Sequence, residues 1–214
     1  MKAGKIISII LVVLAFLTAI YFYPQMPAKM ASHWGINGEV NGYLEKDFAI
    51  FFMPVLLLLL LGLFIALPKI DPLKKNYKLF QKEYDMMIVL IIGFLYYIYL
   101  LTIAYNLGYI FNMAQFLAPA FAILFFFLGI IVEKAKQNWF VGIKTPWTLS
   151  SKKVWDKTHK IGGKLFKAAG IIALLGIAFP ALGLGISIIA VLAIAIFLVV
   201  YSYVEFGKER KNRR

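Results

Sequence analysis

Two histidines and a few acids are the residues of this chain with obvious chemical potential, because cysteine is absent. His33 stands next to Trp34 and precedes three acids, Glu39, Glu45 and Asp47. A histidine with carboxylates could form a metal or ligand cage, although dedicated metal sites usually contain more nitrogen or sulfur ligands. Two other interpretations remain open: a compact turn with Trp34 packed at a membrane interface, or a surface that docks a peptide.

The other histidine, His159, lies in a lysine-rich segment much later in the chain. A catalytic pair with Ser151 is excluded by spacing, since eight residues on one predicted helix are about two turns, beyond hydrogen-bond reach. The two histidines are also predicted on opposite faces of a membrane, so they cannot cooperate. We therefore expect no enzyme activity, no catalytic residue, no cofactor and no metal.

The elements that must position these residues are set by the distribution of charge. The chain of 214 residues is 62% hydrophobic and only 15% charged, where a soluble protein has about a quarter charged residues. Four segments contain no Asp, Glu, Lys or Arg: 6–23, 48–68, 86–132 and 168–204. Apolar runs of about 18 residues or more are typical of transmembrane helices, so the chain is predicted to be an integral membrane protein.

The two longest apolar segments must each contain two helices. Polar residues and a glycine near 106–113 interrupt one, and Pro180 with two glycines interrupts the other, which is turn chemistry. The predicted fold class is therefore all-α, a polytopic membrane protein with six transmembrane helices and an additional interfacial helix on the cytoplasmic side. The predicted helices are about 5–23, 48–67, 86–105, 114–132, 168–180 (with a start near Gly163 or Lys164) and 186–206.

The basic residues predict the orientation, because cytoplasmic loops of membrane proteins keep an excess of Lys and Arg. With the N-terminus inside, 21 of the 23 basic residues lie in inner segments, and only Lys29 and Lys46 lie outside. The sequence thus predicts N-in and C-in topology. The net charge of +13 then reflects topology and attraction to anionic lipids, and no soluble basic face for nucleic acid is expected.

The inner loop, residues 133–167, contains a predicted amphipathic helix that starts near residue 152 after an N-cap at Ser150 or Ser151. Such a helix would lie in the headgroup plane, and Gly162 with Gly163 would bend the chain into the fifth membrane helix. Its predicted apolar face is Val154, Trp155, Thr158, Ile161, Leu165 and Phe166. Its predicted polar face is Lys153, Asp156, Lys157, Lys160 and Lys164.

The connector 68–85 is predicted either as a solvated charged loop or as a short interfacial helix, since Tyr77, Phe80 and Tyr84 fall at helical spacing. The predicted organisation has three parts. They are a first helix pair with an extracytoplasmic loop at 24–47 (1–67), a second helix pair (68–132), and the inner loop with the last helix pair (133–214).

Amphipathicity leaves part of the inner loop unexplained. We call the following residues of this loop the signature residues: Asn138, Phe140, Gly142, Lys144, Thr145, Pro146, Trp147, Thr148, Trp155, Thr158 and His159. Together they resemble the signature of the SdpI-like immunity protein family. The outer loop, residues 24–47, is similar to the short extracytoplasmic domain that often precedes this signature. Its candidate ligand-binding residues are His33, Trp34, Asn37, Gly38, Asn41 and Gly42.

The resemblance implies a membrane immunity and receptor protein. It would protect its cell from a secreted sporulation-delaying peptide toxin and tie an ArsR-like repressor to the membrane on the inner side. The alternatives are a transporter for a small molecule or lipid and a membrane scaffold. A transporter would be expected to hold ionisable groups at membrane depth, and the predicted spans contain none. The polar residues that could serve a transporter are Asn106, Asn112, Gln115, Glu133 and Glu205.

Overall fold

A computed structural model describes residues 2–212, so Met1, Arg213 and Arg214 lie outside the described part of the chain. Six helical segments of the described residues are long and apolar enough to cross a membrane, as the charge pattern predicts. Pro180 begins the last helix, which is therefore longer than predicted. The helices are α1 (Lys2–Phe22), α2 (Lys46–Ile70), α3 (Gln81–Asn106), α4 (Met113–Lys134), α5 (Pro146–Ser150), α6 (Lys152–Ala173), α7 (Leu175–Ala178) and α8 (Pro180–Lys211).

The helices pack as two neighbouring groups. One group is α1, α2 and α3, and the other is α4, α6 and α8. The two groups meet where α3 packs on α4. Small residues allow the close approach of α4 and α6, as is common between membrane helices. A Cβ atom at Gly163 would lie 2.7 Å from the carbonyl oxygen of Gly129, and one at Gly170 would lie equally close to that of Ala122. The inner loop is thus mounted on a tightly packed helix pair.

The all-α prediction is wrong for the outer loop, which forms an antiparallel β-hairpin. Strands β1 (Lys29–Trp34) and β2 (Val40–Glu45) pair with an irregular register between Ala31 and Trp34. Gly38 adopts a φ of +82° in the connecting turn, as an Asn-Gly dipeptide favours. The second Asn-Gly dipeptide, Asn41-Gly42, lies within β2 and makes no turn, because pairing with β1 holds it extended.

The predicted bend at Gly162 and Gly163 is also wrong, since α6 runs without a break through both glycines. Neither glycine bends the chain, because both are needed for packing: a Cβ at Gly162 would meet Ile143, and one at Gly163 would meet Glu133. The predicted sorting of faces is confirmed. Val154, Trp155 and Thr158 are buried against the protein, while all five residues of the predicted polar face are exposed.

The connector 68–85 forms a short 3₁₀ helix over Lys74–Leu79, as the helical interpretation predicts. Tyr77, Phe80 and Tyr84 are buried inside the protein, so the connector is not a solvated loop. The rings of Tyr77 and Tyr84 meet edge to face with centroids 5.1 Å apart. This aromatic cluster packs beneath the inner loop and brings the connector into contact with the signature residues.

Candidate functional site

Asn138 is the centre of the inner loop and is completely buried. Its side-chain nitrogen donates to the carbonyl oxygens of Lys136 and Val141, both at 2.8 Å. Its side-chain oxygen accepts from the backbone N–H groups of Phe140 and Val141 at 2.9 and 2.6 Å. An amide with two donors and an acceptor oxygen can satisfy all of these groups at once, so Asn138 holds the backbone in a closed turn.

His159 supports the next turn of the loop, and both of its ring nitrogens are occupied. The backbone N–H of Ile143 donates to Nε2 at 2.9 Å, so Nδ1 carries the proton and donates to the Trp155 carbonyl at 2.8 Å. The His159 ring also stacks on Trp155 with centroids 3.9 Å apart. Gly142 passes over this ring with a φ of +115°, and a side chain there would collide with Nε2. His159 therefore acts as a structural support in this conformation.

Thr145 and Thr148 form a capping box around the short helix α5. The backbone N–H of Thr148 donates to the Thr145 hydroxyl at 3.1 Å, and that of Thr145 donates to the Thr148 hydroxyl at 2.9 Å. The Thr145 hydroxyl also contacts that of Ser202 on α8 at 3.0 Å. Ser151, one of the two predicted N-caps, accepts from the backbone N–H of Val154 and so starts α6.

Asp71 is a buried member of the inner site that sequence reasoning missed. It accepts hydrogen bonds from the backbone N–H of Leu73 at 2.6 Å, the backbone N–H of Trp139 at 2.9 Å and the Tyr77 hydroxyl at 3.0 Å. Burial raises the pKa of Tyr77, and its hydrogen bond to Asp71 raises it further. A lone aspartate among lysines gives no sequence signal for contacts with a segment 68 residues away.

Fewer signature residues are exposed than buried. Lys144 is exposed, and its ammonium group donates to the carbonyl oxygen of Phe140 at 2.9 Å. Pro146 is exposed, and Trp147 is half-buried with its ring against that of Tyr203, with centroids 5.1 Å apart. These side chains are the part of the signature that another molecule could touch.

The acids at the inner helix ends form ion pairs. Glu133 of α4 accepts from Lys167 of α6 at 2.6 Å, and Glu205 of α8 accepts from Lys157 and, at 2.8 Å, from Lys208. These contacts tie α6 to its two neighbours. Glu133 and Glu205, two polar candidates for transport, thus have partners that account for their position.

The outer hairpin is held by the turn between α3 and α4. The side-chain amide of Asn106 pairs with both backbone groups of Ala31, accepting from its N–H at 2.7 Å and donating to its carbonyl at 3.0 Å. Asn112 donates to the carbonyl of Asn37 at 3.0 Å and caps α4 by accepting from the backbone N–H of Gln115. Asn106 and Asn112, both also considered for transport, thus mount the hairpin. Gln115, the third such residue, donates from its side-chain amide to the carbonyl oxygen of Ile177 on α7 at 2.9 Å.

The structure brings several predicted outer residues together. His33 forms a hydrogen bond with the Asn41 side chain and packs over Gly42, where a Cβ would lie 2.9 Å from that of His33. Two of the three neighbouring acids are engaged elsewhere: Glu45 lies 3.9 Å from Lys29, and Asp47 accepts from the Tyr23 hydroxyl. Among the described residues, no group of three His, Cys, Asp or Glu side chains converges, so the proposed metal cage does not form there.

A cavity of about 260 Å³ lies beneath the hairpin, between α2, α3 and α4. Trp34 forms part of its wall and packs edge to face on Tyr105 with centroids 5.4 Å apart. The indole N–H of Trp34 is buried and has no acceptor among the residues that the structure describes. The remaining wall residues are Ala31, Ser32, His33, Leu44, Ala49, Phe52, Met53, Ile98, Tyr99, Thr102, Met113 and Leu117.

Within residues 2–212, six apolar helices with a mounted hairpin at one end and a closed polar loop at the other define a multi-pass cell-membrane protein. The model of the SdpI/YfhL protein family matches residues 134–204, and the domain of unknown function DUF1648 matches residues 10–58. Immunity protein SdpI of Bacillus subtilis (strain 168) is 31% identical over 168 residues, which cover 78% of each chain. The chain therefore belongs to the SdpI family. No solved structure matches it.

Proposed function

We propose that this protein is a membrane immunity protein that protects its cell from a secreted peptide toxin. The observation that carries the proposal is the likeness to an immunity protein over 78% of both chains. The SdpI/YfhL family model matches the segment that contains the signature residues, and the DUF1648 model matches the segment that contains the outer loop. The structure supports it with an outer surface suited to a peptide, because the hairpin and the cavity beneath it form a recess with polar and aromatic walls.

The proposed direction of binding follows from the charges. Basic residues surround the inner loop, so the positive-inside rule places that loop in the cytoplasm and the hairpin outside. A secreted peptide would then reach the hairpin first. His33, Trp34, Asn37, Gly38, Asn41 and Gly42 are the proposed outer site.

On the inner side we propose a receptor role for the signature residues. Lys144, Pro146 and Trp147 are accessible there, while buried Asn138, Thr148 and His159 hold them in place. A cytoplasmic ArsR-like repressor is the proposed partner of this surface. Anionic lipids are the proposed partners of the exposed lysines of α6 beside it.

The test of immunity is expression of the chain in cells that are sensitive to the sporulation-delaying peptide toxin. The expected result is reduced killing compared with cells that carry an empty vector, with full-length protein verified in the membrane fraction. Unchanged killing at verified membrane levels would contradict immunity against that toxin. Retention of a tagged repressor in the membrane fraction, compared with a Lys144→Gln, Trp147→Ala variant, tests the receptor role separately.

A further inference from the structure

The hairpin has one strand edge that remains open, the edge of β2 that faces away from β1. Within residues 2–212 the sheet contains two strands, so β2 has a single strand neighbour. Tyr43, Leu44 and Glu45 of this strand are exposed. The strand, Val40–Glu45, contains no proline or lysine, the residues that commonly block edge strands. An open edge of this kind can pair with another extended chain.

The register of the hairpin shows which backbone groups point out of that edge. In an antiparallel pair of strands, opposite residues alternate between pairs that exchange hydrogen bonds and pairs whose backbone groups point outward. The N–H of Lys46 donates to the carbonyl oxygen of Ala28 at 2.9 Å, so these two residues form a pair of the first kind. Ala31 and Tyr43 are paired three positions further along and therefore belong to the second kind.

The opposite edge of the hairpin supports this direction independently. Both backbone groups of Ala31 point away from β2, because they bind the side-chain amide of Asn106. The N–H and carbonyl of Tyr43, the residue opposite Ala31, must then point out of the free edge of β2. Asn106 imitates a third strand beside β1, so the hairpin is closed on the β1 side and open on the β2 side.

Glu45 adds one more donor to the open edge. It lies two residues after Tyr43, so its N–H points in the same direction. Its carbonyl begins the hydrogen bonding of α2, because Glu45 is the N-cap residue of that helix. The edge thus offers two N–H donors and one carbonyl acceptor at the spacing of a strand. An extended polypeptide presents complementary groups at this spacing, whereas a lipid does not repeat them.

We propose that an extended segment of the toxin peptide adds to β2 as a further strand, with Tyr43 at the centre of the main-chain hydrogen bonds. The inference rests on the proposed immunity function and adds the mode by which the peptide is recognised. Because the Tyr43 side chain is 61% exposed and aromatic cross-strand pairs are favourable, the peptide residue opposite it is expected to be apolar or aromatic.

A second copy of this chain fits the edge less well than a peptide. A stable interface between two proteins buries at least about 1,200 Å² in total, and the edge of one six-residue strand is too short to supply that area. A short peptide needs less, because its main chain binds along the whole of the open edge. The second copy is nevertheless an outcome of the test below.

The first experiment uses the full chain in lipid nanodiscs and the sporulation-delaying peptide as the probe. Variants of the peptide carry a methyl group on one main-chain nitrogen at a time, and their dissociation constants are measured. In an added strand, alternate N–H groups face β2. Methylation is therefore expected to weaken binding at every second position of one short segment, by at least about fivefold, and to be tolerated between those positions.

A matched pair of substitutions tests the edge from the side of this chain. Tyr43→Pro removes the outward N–H and is compatible with an edge strand, so peptide binding should weaken by at least about fivefold. Tyr43→Val removes the same phenol but keeps the N–H, so binding should weaken by less than about threefold. Slow hydrogen exchange at the N–H of Leu44, which faces β1, verifies that the hairpin is intact in both variants.

The outcomes separate this inference from the proposed function. Cells that are protected, together with methylation effects that lack the two-residue period, would overturn strand addition and leave immunity standing. Equal binding by Tyr43→Pro and Tyr43→Val, or no binding by the parent chain, would also overturn it. A dimer in nanodiscs that Tyr43→Pro converts to monomers would assign the edge to a second copy and overturn the inference. A periodic pattern in binding, with cells that are still killed, would support the edge and contradict immunity against that peptide.

Discussion

The inner loop and the outer hairpin use their polar residues in opposite ways. At the inner end, Asn138, Thr148 and His159 are buried, and their polar groups form hydrogen bonds with the backbone of their own loop. At the outer end, His33, Asn37 and Asn41 are exposed. Each end also keeps one buried polar group without a partner among the described residues, the hydroxyl of Thr158 at the inner end and the indole N–H of Trp34 at the outer end. The comparison indicates that much of the family signature maintains a shape, while the hairpin offers groups to a ligand.

The largest expected effect is on folding at the inner end. Asn138→Ala removes an amide that bridges five backbone groups or side chains, so buried donors and acceptors lose their partners. We expect a loss of roughly 3–5 kcal/mol of stability, measured as thermal unfolding in detergent. Asn37→Ala at the exposed hairpin turn is the matched control, with a change within about 0.5 kcal/mol. Equal effects of the two substitutions would contradict the contrast between the ends.

A smaller loss is expected for Gly142→Ala. The positive φ and the His159 ring together exclude a side chain, and such strain costs on the order of 1–3 kcal/mol. The same substitution at Gly207, where nothing lies within 4 Å of the new methyl group, is expected to be neutral or stabilising. Unfolding temperatures of the two variants provide the measurement. A Gly142→Ala variant as stable as the parent would contradict the close contact between Gly142 and the His159 ring.

At the outer end, Asn106→Ala is expected to act locally. It removes two hydrogen bonds to Ala31, so the free energy of opening the hairpin should fall by about 1 kcal/mol. The helices should keep their stability. Hydrogen exchange of residues 29–34 is the readout, and exchange in the inner loop serves as the internal control. Faster exchange throughout the chain would show that the hairpin is not an independent unit.

The smallest effect on stability is expected for the lysines. Replacing Lys153, Lys160 and Lys164 by Gln removes exposed charges and should change stability by less than about 0.5 kcal/mol. Binding to vesicles with anionic lipid should nevertheless weaken, because each basic residue near such a surface contributes about 1 kcal/mol. Unchanged vesicle binding would leave the lysines as topology determinants only.

The six membrane helices were predictable because charge is segregated so completely from the apolar segments. The hairpin could not be predicted, because its strands are short and irregular. Its two Asn-Gly dipeptides also play different roles: Gly38 lies in the turn with a positive φ, whereas Gly42 lies beneath His33. The bend predicted at Gly162 and Gly163 is wrong for a similar reason. Glycine permits a bend and close packing alike, and only the position of α4 decides between them.

The candidate site was predictable in part. The signature residues could be named from the sequence, but their hydrogen-bond roles depend on contacts with distant segments, such as Thr145 with Ser202. Asp71 and Asn106 were not recognised as supports for the two ends, because each acts on backbone groups that carry no residue-specific pattern. The cavity at Trp34 is formed by three helices and the hairpin, so no single segment indicates it.

Hydrogen exchange of the full chain in nanodiscs, with and without the sporulation-delaying peptide, tests the contrast between the two ends most directly. Without peptide, the backbone N–H groups of Val141 and Ile143 should exchange slowly, because Asn138 and His159 hold them. Added peptide should slow exchange in the hairpin, residues 29–45, more than in residues 138–149. Slowing that is confined to residues 138–149, with an unchanged hairpin, would contradict an outer binding site.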